Sequence, residues 1–194
     1  MPKKTNATKS KIVNAAWNLF YENGYENTTV DEIIARSGTS KGSFYHYFSA
    51  KDELLSSLSY VFDEKYKELE PNLSTKQTTF EKLMYLNQEM FKMIENKVDI
   101  NLLAGLLSTQ LTTKGDKNLL DYNRYYYKLI RKIVEEGQSR GEISGDTSIG
   151  EIVKLYSMCE RALMYDWCIC GGEYSLREYG AKMLPLFLRS FRAV

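Results

Sequence analysis

The sequence predicts an all-α fold in which a small N-terminal domain precedes a larger helical bundle. Apolar residues recur at helical spacing in every long segment, and no segment alternates in the manner of a strand. Pro2, Pro71 and Pro185 are the only prolines among 194 residues, so long stretches are free to be helical. Hydrophobic residues make up 43% of the chain and aromatic residues 13%, which is enough to fill a core.

The first fifty residues predict three helices separated by turn signals. The first carries the apolar face Ile12, Val13, Ala16, Leu19 and Phe20 and ends before Gly24. Thr29 and Glu32 form a capping box that opens the second helix, and Gly38 ends it. Ser40 caps the third helix, which turns Phe44 and Phe48 inward. Two short helices across such a turn predict a helix-turn-helix, whose last helix enters the major groove of DNA.

The rest of the chain divides near Pro71. The run 49–52 predicts the start of a fourth helix, and Pro71 with the polar residues 72–79 marks a domain joint. We therefore predict a DNA-binding domain over 8–70 and an effector-binding and dimerisation domain over 71–194. Further helices are predicted at 80–94, 100–111, 119–136, 149–169 and 175–191, with Gly137 and the loop around Gly141 and Gly145 closing the third of them.

The predicted recognition helix is lined by small and polar residues. Gly42 costs a helix about 1 kcal/mol relative to alanine, and close approach to a phosphate backbone would explain it. Tyr45, His46 and Tyr47 offer hydrogen bonds to phosphates, and Lys41 and Lys51 offer charge. Residues 1–51 carry a formal charge of +3 within a chain of net charge +1, which is consistent with a nucleic-acid-binding head.

The run from Gly24 to Leu55 resembles the DNA-binding domain of the tetracycline-repressor (TetR) family, and the match extends without a gap from about Ile12 to Leu58. Its most specific features are Thr28-Thr29, Gly38, Ser40-Lys41-Gly42, Tyr45-x-Tyr47-Phe48 and Lys51. The sequence departs at Ser43-Phe44, where the family often has Thr-Leu, which changes volume and not the pattern.

The resemblance implies a homodimeric repressor of about nine helices that a ligand releases from double-stranded DNA. It implies that one set of residues grips the DNA backbone, namely Thr28, Lys41, Tyr45, Tyr47 and Lys51. It also implies that a second set lies nearer the bases, namely Thr39, Ser40, Ser43 and His46. It names no ligand, because the C-terminal domains of the family diverge widely.

The second domain is predicted to hold a small-molecule effector between its helices, where Met and aromatic side chains line adaptable pockets. The candidate lining is Met84, Phe91, Leu102, Leu106, Tyr122, Tyr126, Met158, Arg161 and Trp167. Packed core is the competing interpretation for most of them. The tyrosines at 122 and 125–127 add hydroxyls that could orient a ligand. Glu160, Arg161 and Asp166 lie in an otherwise apolar helix, where they predict interface salt bridges or polar contacts to an effector.

The last two helices are predicted to form a dimer interface. Residues 149–169 are apolar on more than one face, so one domain alone does not cover them. The candidate interface residues are Leu155, Cys159, Leu163, Tyr179, Met183 and Phe187. Pairing about a two-fold axis would also space two recognition helices for a palindromic operator.

Several other classes of protein are not favoured. No nucleophile-base pair, metal-ligand set or phosphate-binding glycine loop occurs, so neither an enzyme nor a cofactor is predicted. Cys159, Cys168 and Cys170 are predicted to be structural or incidental thiols, with redox sensing by Cys168 and Cys170 as the alternative. No membrane span or export signal is apparent, so a cytoplasmic protein is expected. A DNA-binding scaffold that recruits a protein partner without an effector is the alternative to a repressor.

Overall fold

The computed structural model describes residues 3–112 and 118–193, and these ranges are helical apart from turns and one isolated bridge between Ile143 and Arg192. The α-helices of the described ranges are α1 (Lys3–Asn23), α2 (Val30–Ser37), α3 (Lys41–Tyr47), α4 (Leu58–Leu69), α5 (Thr79–Lys97), α6 (Ile100–Thr112), α7 (Tyr125–Ser139), α8 (Ile149–Ile169) and α9 (Leu176–Leu188). The all-α prediction is confirmed.

Local signals placed most helix ends correctly. Thr29 and Glu32 form the reciprocal capping box of α2, and Ser148 with Glu151 forms another at α8. Gly38 closes α2 in the left-handed conformation, which a side chain rarely adopts. These ends depend on residues three or four positions apart, so the sequence alone predicts them.

Three predicted boundaries were wrong. The fourth helix opens as a 3₁₀ segment over Lys51–Ser57, and its cap position is Ala50. The helix predicted from 119 begins only at Tyr125, because the segment before it turns on Asp121, whose carbonyl accepts the N–H of Arg124. Gly137 lies inside α7 and does not end it. A Cβ at Gly137 would come within 2.4 Å of the Thr79 hydroxyl oxygen, so the glycine lets α5 approach α7.

The described chain forms two compact units. The first contains the residues up to Val61 and the segment Lys97–Leu119, and the second contains Phe62–Asn96 and the residues from Leu120 onward. The domain boundary predicted near residue 70 is a division along the chain and stays a prediction. The helix α6 belongs to the first unit, because it packs on the 3₁₀ segment that precedes α4.

Each unit has its own apolar core. In the first, Ile12, Ile33 and Phe44 are fully buried, so α1, α2 and α3 share one core. In the second, the buried faces of α5, α7, α8 and α9 supply Leu86, Ile130, Tyr156 and Leu184. None of the described helices is at once long and apolar enough to cross a membrane.

Candidate functional site

The turn between α2 and α3 is built from short polar side chains. Gly38 supplies the reversal at φ 63°, and the Ser37 and Thr39 hydroxyls lie 2.8 Å apart. Ser40 accepts the N–H of Ser43 at 3.1 Å and thereby caps α3. The turn therefore fixes the direction of α3 relative to α2 without large apolar residues.

The outer face of α3 is exposed and polar. Phe44 is completely buried and Phe48 nearly so, which orients the helix on the domain core. The predicted contact residues on the other side are exposed, namely Ser40, Lys41, Gly42, Tyr45 and His46. Thr39, Ser43 and Tyr47 are half-buried at its edge. Nine of the ten predicted DNA-contact residues, all except Thr28, thus keep some accessible side-chain or backbone surface.

Neither packing nor backbone conformation requires a glycine at position 42. A Cβ built there would meet only the Ser40 hydroxyl, at 4.0 Å, and the residue does not require a positive φ. The space beside Gly42 is open on the outer face of α3. A partner that approaches the backbone closely, such as a DNA phosphate, would account for the missing side chain.

We expect Gly42→Ala to leave the fold intact, or to stabilise α3 by up to about 1 kcal/mol, while weakening operator binding roughly tenfold or more. The added methyl group has room in the free protein and would lie between α3 and the DNA. Urea unfolding and fluorescence anisotropy on a selected operator measure the two effects. Gly145→Ala is the matched control, because a Cβ there would meet nothing within 4 Å. Unchanged affinity of Gly42→Ala would mean that DNA does not approach this position.

Lys51 and Thr28 have roles inside the domain that the sequence did not predict. The Lys51 ammonium donates to the carbonyls of Tyr25 at 2.8 Å and Thr28 at 3.1 Å, and it lies 4.1 Å from the centre of the Tyr25 ring. The Thr28 side chain is buried, and its hydroxyl donates to the Gly24 carbonyl at 2.8 Å. The prediction that the Thr28 side chain grips the DNA backbone is therefore corrected: its hydroxyl is used in closing the loop before α2.

Lys51 holds the same loop with two of its three donors, whereas Lys41 is exposed and its ion pair among the described residues is with Asp31, at 3.6 Å. We expect Lys41→Ala to lower the slope of log affinity against log salt by about two for a dimer, with little change in stability. Lys51→Met should instead lower the free energy of unfolding by about 1–3 kcal/mol, because two loop carbonyls lose their donor. Salt-dependent anisotropy and urea unfolding separate the two roles. A Lys51→Met variant of normal stability whose slope falls by two would reverse this assignment.

The predicted effector residues do not form one cluster. Leu102 and Leu106 are buried on α6, in the first unit, and the other seven belong to the second. Met158 is exposed on the outer face of α8, which corrects its assignment to a pocket. Tyr122 is also exposed and lies against Tyr127, with ring centres 4.6 Å apart.

The remaining candidates lie in or near the core of the second unit. Met84 lines a groove of about 330 Å³ with Phe80, Pro185 and Leu188, on α5 and α9. Arg161 donates to the Tyr127 hydroxyl at 3.1 Å, and the Trp167 indole donates to the Tyr174 carbonyl at 2.8 Å. These hydrogen bonds give the polar groups of Arg161 and Trp167 partners within the fold, without an effector.

A polar cluster lies at the centre of the second unit, around a residue for which the sequence left interface salt bridges and effector contacts as alternatives. Glu160 is 4% exposed, and its carboxylate accepts the Asn87 amide at 2.9 Å and the Tyr126 hydroxyl at 2.6 Å. The prediction that Glu160 forms an interface salt bridge is therefore wrong, because the carboxylate points into its own protomer. Asp166 accepts the Tyr174 hydroxyl at 2.8 Å, so it too has a partner within the chain. Of the predicted pocket residues, Tyr126 belongs to this cluster, and Phe91 adjoins it through Gly180.

Two of the three cysteines, Cys159 and Cys168, have the properties of unreactive thiols. Burial raises the pKa of both Cys159 and Cys168 to about 11, so neither is a thiolate near neutral pH. Within residues 3–112 and 118–193, no three His, Cys, Asp or Glu side chains are grouped to hold a metal ion.

The outer faces of α8 and α9 carry an exposed apolar stripe. Met158, Tyr165 and Ile169 lie on one side of α8, and Tyr179, Met183 and Leu186 lie on one side of α9. Leu155, Cys159 and Phe187 are half-buried beside these residues. Leu163, a predicted interface residue, is only 8% exposed and belongs to the core of its own protomer, so that assignment is corrected.

Residues 12–58 match the family described as bacterial regulatory proteins, tetR family. The chain is 27% identical over 182 residues to the fatty acid metabolism regulator protein of Bacillus subtilis (strain 168), covering 92% of each chain. Its fold is similar to that of the transcriptional regulator FadR from Bacillus subtilis in complex with stearoyl-CoA, with a TM-score of 0.65, 24% identity and coverage of 92% of this chain and 96% of that one. The fold of Thermus thermophilus FadR in complex with lauroyl-CoA gives a TM-score of 0.63 at 22% identity, with 93% of each chain covered.

The helix-turn-helix geometry, the match over residues 12–58 and the similarity that extends over most of the chain agree with one another. Residues 12–58 therefore form a DNA-binding domain of the TetR family, and over most of its length the chain is similar to TetR-family transcriptional regulators.

Proposed function

We propose that this protein is a homodimeric repressor that binds a palindromic operator and releases it when a small apolar or amphipathic effector binds to the second unit. The observation that carries the proposal is α3, which is anchored by Phe44 and presents a polar, glycine-containing face outward. Such a face suits contacts to phosphates and base edges.

The dimer is supported by the apolar stripe on α8 and α9. Large apolar side chains aligned on two adjacent helices are costly to leave in water. A second copy of the chain would cover them with its own equivalent stripe, which gives an interface of four helices about a two-fold axis. That symmetry would present two copies of α3 to half-sites one helical turn apart, or a multiple of it.

The class of effector is suggested by the relatives. The Bacillus subtilis relative is named as a fatty acid metabolism regulator, and two proteins of similar fold are described in complex with stearoyl-CoA and lauroyl-CoA. Fatty acyl compounds are therefore one class of amphipathic molecule to test. An effector that prefers the non-binding conformation about 100-fold would shift the equilibrium by about 2.7 kcal/mol, enough to release an operator.

The test starts from random DNA. Selection of bound duplexes by the purified protein should yield an inverted repeat, and anisotropy on that duplex should show one dimer per site. Compounds that raise the melting temperature should then lower operator affinity. Selected sequences without two-fold symmetry would contradict the operator model, and stabilising compounds that never affect DNA binding would favour a scaffold that recruits a protein.

A further inference from the structure

The Glu160 carboxylate is buried among neutral donors. Its oxygens accept the Asn87 amide and the Tyr126 hydroxyl, so α5, α7 and α8 meet at one acidic group. No Lys or Arg of the described ranges forms an ion pair with it. Buried carboxylates are normally paired with a cation, and an apolar residue would fill the same space at lower cost. Burial accordingly raises the pKa of Glu160 above that of a free glutamate.

A second acceptor lies beside the carboxylate and has no donor. Asn87 is completely buried, and its Oδ1 receives no hydrogen bond from any described residue. This oxygen faces Gly180 of α9, where a Cβ would come within 3.1 Å of it. Buried polar atoms without a partner are rare in folded proteins, and each calls for a specific explanation. Two side chains of one cluster therefore present more acceptors than donors.

Aromatic rings surround the same place. The rings of Tyr66 on α4 and Tyr126 on α7 have centres 5.0 Å apart, and Tyr156 is fully buried with its hydroxyl on the Leu83 carbonyl at 2.9 Å. Burial, and to a lesser extent the Glu160 charge, keeps the pKa of Tyr66 and of Tyr156 well above its usual value. These phenols therefore stay neutral, and the faces of such rings attract cations.

We propose that this cluster, Glu160 with Asn87, Tyr66, Tyr126 and Tyr156, is the polar end of the effector site and receives a primary or secondary ammonium group on an otherwise apolar ligand. The inference rests on the proposed function and names its effector class. An ammonium brings a cation that bonds Glu160 directly, whereas Arg161 acts on the carboxylate only from a distance and bonds the Tyr127 hydroxyl. It also brings an N–H donor for Asn87 Oδ1. A carboxylate or a bare alkyl chain supplies neither.

The cluster also contacts α4, whose residues are divided along the chain between the first and the second unit. Tyr126 donates its backbone N–H to Asp63 of α4 at 3.3 Å, and its ring contacts Tyr66 of the same helix. A ligand that takes the place of the Tyr126 hydroxyl on Glu160 must shift this tyrosine. The shift would act on α4, whose first residues belong to the unit that contains α3.

Three twelve-carbon compounds with different head groups test the proposal, each used below its micellar concentration. Dodecylamine has charge and N–H donors, dodecyltrimethylammonium has charge alone, and dodecanoate has the opposite charge. Calorimetric titration measures their binding to the full-length protein, and anisotropy measures release of the selected operator. We expect dodecylamine to bind and to release the operator, dodecyltrimethylammonium to bind more weakly, and dodecanoate not to bind.

Glu160→Gln keeps the shape of the side chain and removes its charge. We expect it to lose affinity for dodecylamine at least tenfold, in line with the strength of a charged hydrogen bond, and its operator affinity without ligand is measured alongside as the reference for release. Glu173→Gln, which changes an exposed carboxylate of the same unit, should behave as the unmodified protein. If Glu160→Gln fails to fold, Asn87→Leu replaces it and should also lower the affinity of the protein for dodecylamine.

Two results would overturn the inference. One is that dodecylamine does not bind, or binds Glu160→Gln and the unmodified protein equally. The other is that dodecanoate or lauroyl-CoA releases the operator equally from both proteins, which would leave the effector-released repressor in place with a different ligand. A failure of the repressor model itself would be visible earlier, because the protein without ligand would then select no operator.

Discussion

Leu186→Glu is expected to convert the protein into monomers that no longer hold the operator. Leu186 is 55% exposed on α9, so a charged side chain costs the isolated protomer little. In a dimer that buries the α8 and α9 stripe, the same carboxylate would lose its water without gaining a cation. Light scattering should show a mass falling from two chains to one chain of 22.5 kDa, and operator affinity should fall by about a hundredfold or more because one half-site is lost.

The matched control is Leu120→Glu. Leu120 is 44% exposed in the same unit and lies outside the α8 and α9 stripe. This variant should remain dimeric and bind the operator as before. Leu163→Glu is no longer a test of the interface, because it would place a charge in the core of the protomer. A single-chain mass for the unmodified protein would refute the dimer and, with it, the proposed use of two half-sites.

Arg124→Met is expected to destabilise the second unit by about 3–5 kcal/mol. The guanidinium of Arg124 bonds both oxygens of Asp63, at 2.8 Å and 3.2 Å, and both side chains are nearly buried. Asp63 lies on α4, and Arg124 is the N-terminal cap residue of α7. Removal of the arginine leaves a buried carboxylate whose remaining hydrogen bond in the described structure is the Tyr126 N–H.

Urea unfolding measures this loss, and a second pair at nearby positions serves as the control. Lys132 of α7 meets Glu70, which follows α4, at 3.0 Å, but Lys132 is 62% exposed. Lys132→Met should therefore cost less than about 1 kcal/mol, because water screens the pair. The double variant Asp63→Leu with Arg124→Met should recover much of the loss, since no buried charge remains unpaired. Equal costs for Arg124→Met and Lys132→Met would show that burial does not determine the strength of these pairs.

The N-terminal domain was largely predictable because its signals are local. The capping box of Thr29 and Glu32, the left-handed turn at Gly38 and the cap at Ser40 each act over a few residues. The inward positions of Phe44 and Phe48 follow from helical periodicity. The bounds of α8 were also predicted to the residue, from apolar periodicity, and the structure shows that Ser148 caps its start.

The roles of individual side chains were decided by tertiary structure. Sequence shows Lys51 as a free charge, but a loop that is distant along the chain supplies two carbonyls that bind it. From the sequence, Gly137 was predicted to end a helix. The structure shows that it lies inside α7, where the absence of a side chain makes room for Thr79 of α5. Periodicity shows that α8 is apolar on more than one side and cannot distinguish the core face from the outer face. The prediction therefore placed Leu163 at the dimer interface, although it is buried in the core, and placed Met158 in a pocket, although it is exposed on the outer face.

Glu160 shows this division most clearly. The sequence marked it as a charged residue within an apolar helix, and that observation was sound. Whether such a carboxylate lies at an interface or in a core depends on which helices surround it. Only packing of α5 and α7 on α8 brings Asn87 and Tyr126, which are 73 and 34 positions away along the chain, to its two oxygens. Local interactions determined the helices and the DNA-binding turn, whereas burial and hydrogen bonding between distant residues determined the candidate effector site.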